Sequence, residues 1–166
     1  MSSVKYDIES LLLDVKAILV ANLNTRVAAI EAEKIAAGAI TTGILPVDTS
    51  KGYFEQSWSD AILNINPAIF YGIENVTAKG DRSATIEEIK VFVEIILLDS
   101  GQDGKAKNQI HRYTRAIKEV FEENWDKLKN RSPIKIETVR PVSFRLDLNS
   151  SEEIKVGGVS LTVGLG

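Results

Sequence analysis

The stretch from Thr85 to Leu98 constrains the fold more than any other part of the chain. Ile89, Val91, Val93, Ile95 and Leu97 alternate with Lys90, Phe92, Glu94, Ile96 and Leu98. Alternation at two residues sends the first set to one face of a β-strand and the second set to the other. The second set passes from charged to apolar toward its end, so the strand is expected at the centre of a sheet and covered on both faces there. Just before it, Ile69, Tyr71, Ile73 and the β-branched Val76 and Thr77 read as an antiparallel partner, with Lys79-Gly80-Asp81-Arg82 as the turn. Such a strand cannot stand alone, so the rest of the chain must supply further strands and cover.

Two segments have the helical spacing that provides cover. From Asp7, the residues Ile8, Leu11, Leu12, Val15, Ile18, Leu19, Leu23, Val27 and Ile30 recur at three and four residues. An Ala-rich continuation carries the helix to Ala37, where Gly38 is the expected stop. A helix from Asp7 to Ala37 spans roughly 45 Å at about 1.5 Å per residue, beyond the edge of a small core. The second helix follows the polar loop Asp99–Lys105, with Ile110, Tyr113, Ile117, Val120, Phe121, Trp125 and Leu128 on its apolar stripe. Asn130-Arg131-Ser132-Pro133 is expected to end it, because proline cannot continue a helix.

Residues 38–67 interrupt both periods with Gly38, Gly43, Pro46, Gly52 and Pro67, and read as a long irregular segment. The segment carries Ile44, Leu45, Val47, Tyr53, Phe54, Trp58, Ile62 and Leu63, more apolar material than a solvated linker holds, so part of it must pack. After the second helix the chain is again β in character. Ile134 and Ile136 open an extended run, Pro141 marks a bend or edge position, and Val142, Phe144, Leu146 and Leu148 alternate with polar residues. A turn at 149–152 leads to a last strand through Ile154, Val156, Val159, Leu161 and Val163, where Gly157-Gly158 reads as a bulge that switches the inward face. The expected fold is α+β: an antiparallel or mixed four-stranded sheet with helices packed on it, in the order helix, strand pair, helix, strand pair.

The length of 166 residues and a hydrophobic fraction of 44% suit one domain over 1–166 with one ordinary core. Charges of both signs are mixed along the chain and the net charge is −3, which gives no global attraction to nucleic acid or an anionic membrane and disfavours DNA wrapping. The absence of cysteine excludes disulfides, thiol nucleophiles and thiolate metal sites. The first residues lack a basic start followed by an apolar run, and no stretch reads as a membrane span, so a soluble, unprocessed chain is expected.

Catalysis requires convergent nucleophiles, bases or ligands, and the sequence offers no such set. His111 is the single histidine, at the start of the second helix with no nucleophile or ligand partner in the pattern. Glu87-Glu88 and Glu122-Glu123 are adjacent pairs, which point to opposite faces of a strand or diverge by about 100° on a helix. The Asp99–Asp103 loop lacks the third-position oxygen ligand and the distal glutamate of a calcium loop, and neither Gly157-Gly158 nor Gly101-x-x-Gly104 has the spacing of a phosphate loop. Lys105, Lys107, Arg112, Arg115 and Lys118 form a basic run, but acids follow at Glu119, Glu122 and Glu123 and no stacking aromatics accompany it. The expectation is a protein that is not an enzyme and takes no cofactor or metal.

Self-association remains. An extended first helix, a long strand and aromatic residues on an irregular segment suit a chain partly buried by a neighbour. The candidate assembly residues are Tyr53, Phe54 and Trp58, with Lys79 and Arg82 at the first hairpin turn and Lys105 and Lys107 before the second helix.

Several phrases resemble one family. Leu45-Pro46-Val47-Asp48, Gly52-Tyr53-Phe54-Glu55-Gln56-Ser57 and Asn66-Pro67-Ala68-Ile69-Phe70-Tyr71-Gly72-Ile73-Glu74 resemble the segment that opens the first hairpin in bacteriophage tail terminator and tail-completion proteins of the neck. Arg112-Tyr113-Thr114-Arg115-Ala116-Ile117-Lys118 is similar to their inter-hairpin helix, and Val156-Gly157-Gly158-Val159 to their final strand. The resemblance spans most of the chain. It implies a small α+β subunit of a hexameric ring that caps the tail tube, stops its polymerisation and docks the head connector. The implied partners are further copies of the chain, the tube protein, the connector and, in a contractile tail, the sheath. DNA would pass through the lumen without specific binding. The implied location is the virion, and the host cytoplasm during assembly. A head-closure or tail-tube subunit is the nearest alternative; a small ligand-binding domain ranks below it and an enzyme last.

Overall fold

The computed structural model describes residues 8–39, 44–55, 65–79, 86–99, 105–128, 132–145 and 153–165. The chain order is α1 (Ile8–Ala36), β1 (Tyr53–Glu55), β2 (Ala68–Lys79), β3 (Ile86–Asp99), α2 (Lys105–Glu123), a 3-10 turn (Trp125–Lys127), β4 (Ser132–Arg145) and β5 (Glu153–Leu165). The α+β class holds, but the sheet has five strands, in the order β1-β2-β3-β5-β4. The additional strand, β1, lies in the segment expected to be irregular and runs parallel to β2, which makes the sheet mixed. Three residues are too few for alternation to register as a pattern.

Both helices cover one face of the sheet. The α1 stripe from Leu11 to Ile30 is buried, as are Ile110, Tyr113, Ile117, Val120 and Phe121 of α2, against Ile89, Val91, Val93, Ile95 and Leu97 of the central strand β3. The two helices are also joined by charge. Arg112 of α2 pairs with Glu31 of α1, both nearly buried. Glu33 receives two hydrogen bonds from the Arg115 guanidinium, at 2.9 and 2.8 Å, which pull its carboxyl below the usual range. Arg26 pairs with Glu123 and lies 3.7 Å from Glu119. The basic run of α2 is thus largely spent on the acids of α1 and of its own following turn.

The segment before β1 is anchored by polar bonds. The Asn24 side chain donates to the Val47 carbonyl and accepts from the Val47 N–H, both at 2.8 Å, and Val47 enters the core. Asp48 Oδ1 accepts from the Ser50 and Lys51 backbone N–H groups, forming a local turn that closes with Gly52 N–H on the Asp48 carbonyl. Gly52 is required there, since a Cβ would lie 2.6 Å from Val47 and 2.7 Å from the Asp48 carbonyl oxygen. Tyr113 of α2 donates its hydroxyl to the Leu45 carbonyl.

Two further expectations are corrected. The second helix ends at Glu123, before Asn130, because Asn124 donates its side-chain amide to the Val120 carbonyl at 2.7 Å and its backbone turns to 3-10 spacing. Gly157-Gly158 is not a bulge: β3 and β5 pair without a register shift from Glu87↔Leu165 to Asp99↔Glu153. These glycines answer to close approach. A Cβ on Gly158, whose φ is 154°, would lie 2.1 Å from the Val93 carbonyl oxygen, and one on Gly157 would lie 2.8 Å from Thr114 Oγ1. The bulge is on the neighbouring strand, where the β4–β5 register shifts between Val139 and Val142, at Arg140 and Pro141. Pro141 does occupy an edge strand, as its missing N–H favours.

Candidate assembly interface

The face of the sheet opposite the helices divides into two zones. Ladder partners share a face, so one row runs Phe54, Phe70, Glu94, Gly158, Val139 from β1 to β4, and the next runs Ala68, Ile96, Val156, Val142. Ala68, Phe70, Ile96, Ile154 and Val156 form a buried apolar cluster, with Phe54, Phe92 and Leu98 packed on it. Phe54 and Phe70 stack with ring centroids 5.1 Å apart. Toward the other end the face is polar: Asn75, Thr77, Glu88, Lys90, Lys135, Glu137 and Thr162 line an open depression of about 380 Å³. Glu94 sits at the border, half-buried, and burial followed by the Glu74 carboxylate raises its carboxyl above the ordinary range.

At β4 the apolar row reaches solvent. β4 is an outermost strand, and its outer edge has no strand partner among the described residues. Val139 and Val142, aligned with Gly158 and Val156 on the face away from the helices, are 41% and 53% exposed. At the opposite edge, β1 covers β2 only from Ile69 to Tyr71. Further along β2, Val76 is exposed. On α1, Leu13 is 60% exposed, and Ile35 lies exposed beyond the last buried position, Glu31.

The candidate residues drawn from the sequence are not brought together. Tyr53 packs against the helix-side core; its hydroxyl has no hydrogen-bond partner among the described residues, and burial pushes that group's pKa up. Phe54 belongs to the opposite cluster. Both are partly buried within their own chain. Lys79 closes β2, while Lys105 opens α2 and Lys107 lies in its first turn. Trp58 and Arg82 fall outside the described residues.

No protein-family model matches the chain, and no curated protein matches it. The assignment of a site therefore rests on geometry. Among the described residues no three of His, Asp and Glu cluster as a metal would need, and no described helix is long and apolar enough to cross a membrane. Nothing in the sequence marks Val139 and Val142 as a pair: they are three residues apart, which in a regular strand sends them to opposite faces, and the shift at Arg140 and Pro141 brings both to the same one. Only their place at the end of the strand order reveals them as edge residues.

Proposed function

We propose that the protein is a structural assembly subunit of the tail-terminator type, which forms a ring, hexameric on the resemblance, to cap a tail tube and dock the head connector. The observation that carries this reading is the open edge of β4, with Val139 and Val142 exposed beside the buried cluster around Val156. A long open edge strand presenting apolar side chains is a liability unless another chain covers it. A head-to-tail ring needs two different patches per subunit. Val139 and Val142 on β4 and Val76 on β2 supply one at each side of the sheet. The resemblance of its phrases to those of tail terminator and tail-completion proteins supports the choice of assembly, and no catalytic residue is invoked.

Negative-stain images of the purified protein, alone and mixed with polymerising tail-tube subunits, test the reading. Closed rings and tubes of uniform length, each blunt at a ring-bearing end, are expected. Open filaments of the protein itself would favour a tube subunit instead, and tubes that grow unchanged in its presence would overturn tube capping.

A further inference from the structure

A second feature lies on the helix side of β4, beside the exposed Val139. His111, Thr114, Arg115 and Lys118 of α2 face Thr138, Val139, Arg140 and Pro141 of β4 across a groove of about 470 Å³. Four of these eight residues carry basic side chains and none is acidic. Three features shape the groove. The β4 bulge brings Arg140 and Pro141 together opposite Gly157, and bulges re-aim side chains in this way. Gly157 contributes no side chain, and a Cβ there would meet Thr114 Oγ1 at 2.8 Å. Thr114, only 6% exposed, has a buried hydroxyl without a hydrogen-bond partner among the described residues, an uncommon and costly state.

The charges are unevenly committed. Arg115 is held by Glu33 and Glu119, and Lys118 lies 3.6 Å from Glu122, an exposed pair that solvent screens. Arg140 and His111 have no ion pair among the described residues. Hydrogen-bond donors approaching from a helix and from a strand suit a compact anion with several acceptor oxygens, and a guanidinium is the side chain best matched to phosphate. The half-buried Pro141 gives the groove an apolar flank, which lowers the local dielectric and strengthens such contacts.

We infer that the α2–β4 groove binds a phosphate-type oxyanion, with Arg140 as its principal anchor, Lys118 and His111 as further donors and the Thr114 hydroxyl at its floor. The inference does not depend on ring formation. The ligand's phosphate has two possible sources, a free oxyanion or the backbone of a nucleic acid read without regard to sequence.

Titration calorimetry on the full chain at fixed low ionic strength separates them, using inorganic phosphate, a short single-stranded oligonucleotide, and acetate as a carboxylate control. Saturable phosphate binding is expected, one site per subunit, weakened about tenfold by Arg140→Gln, as loss of a charge-assisted hydrogen bond implies. Thr114→Val is expected to weaken it by a smaller factor without loss of folding, and Lys127→Gln, on the 3-10 turn and not among the groove's lining residues, to leave it unchanged. Oligonucleotide binding with the same Arg140 dependence assigns a phosphodiester ligand; phosphate binding alone assigns a free oxyanion. No binding of either, equal binding of acetate, or wild-type affinity in both Arg140→Gln and Thr114→Val would overturn the site.

Discussion

The two faces of the sheet are built from the same strands, yet they are finished differently. On one face Ile89, Val91, Val93, Ile95 and Leu97 of β3 are buried in one core with the apolar stripes of α1 and α2, and the helices are locked to each other by Glu31–Arg112 and Glu33–Arg115. On the other, the apolar cluster around Phe70 gives way to charged residues in one direction and to the exposed Val139 and Val142 in another. The first face accounts for stability. The second, with its free edge, offers surface that stability does not require.

That division makes graded predictions. The largest effect belongs to the covered face: Phe121→Ala removes a fully buried ring beneath α2 and is expected to cost about 4 kcal/mol in urea unfolding. Arg112→Met comes next at about 3 kcal/mol, because it deprives the nearly buried Glu31 of its guanidinium; replacing Glu31 by Leu in the same chain should recover much of that loss. An unchanged midpoint in Arg112→Met would mean that the helix pair is not held by this contact.

Glu94→Gln is smaller, within about 1 kcal/mol, and has the opposite sign at neutral pH. The folded state raises the Glu94 pKa above its ordinary 4.5, so in the window just above that value the native chain binds more protons than the unfolded chain. Stability attributable to Glu94 therefore falls as pH rises through the window. The variant should be the more stable at pH 7 and should lose that advantage below 4.5, as thermal melts across pH would reveal. Val139→Ser with Val142→Ser should change monomer stability least, by about 0.5 kcal/mol or less, while abolishing self-association.

Much of the covered face was legible in the sequence, and little of the free edge was. The stripes from Leu11 to Ile30 and from Ile110 to Phe121 repeat often enough for helical period to stand out, and the alternation through Ile89 to Leu97 marks a strand without ambiguity. Tyr53–Glu55 is too short to announce itself, and its strand pairing depends on Gly52 and Asp48 shaping the approach to β2. The glycine pair in β5 carries two readings, bulge or close approach, which only the path of Val93 and Thr114 decides. The acids that follow the basic run of α2 are visible in the sequence, but a sequence does not reveal that α1 presents Glu31 and Glu33 to Arg112 and Arg115. The groove beside β4 is lined by both Arg140 and Thr114, which are distant in sequence and brought to it only by the fold.

The open edges of this sheet are proposed as meeting surfaces for further copies of the chain. Light scattering coupled to gel filtration over a range of concentrations, on the wild type and the Val139→Ser, Val142→Ser double variant, tests it most directly. The account predicts a discrete oligomer for the wild type and a folded monomer for the variant; a wild type that stays strictly monomeric at the highest concentration, or a variant that assembles as the wild type does, would contradict it.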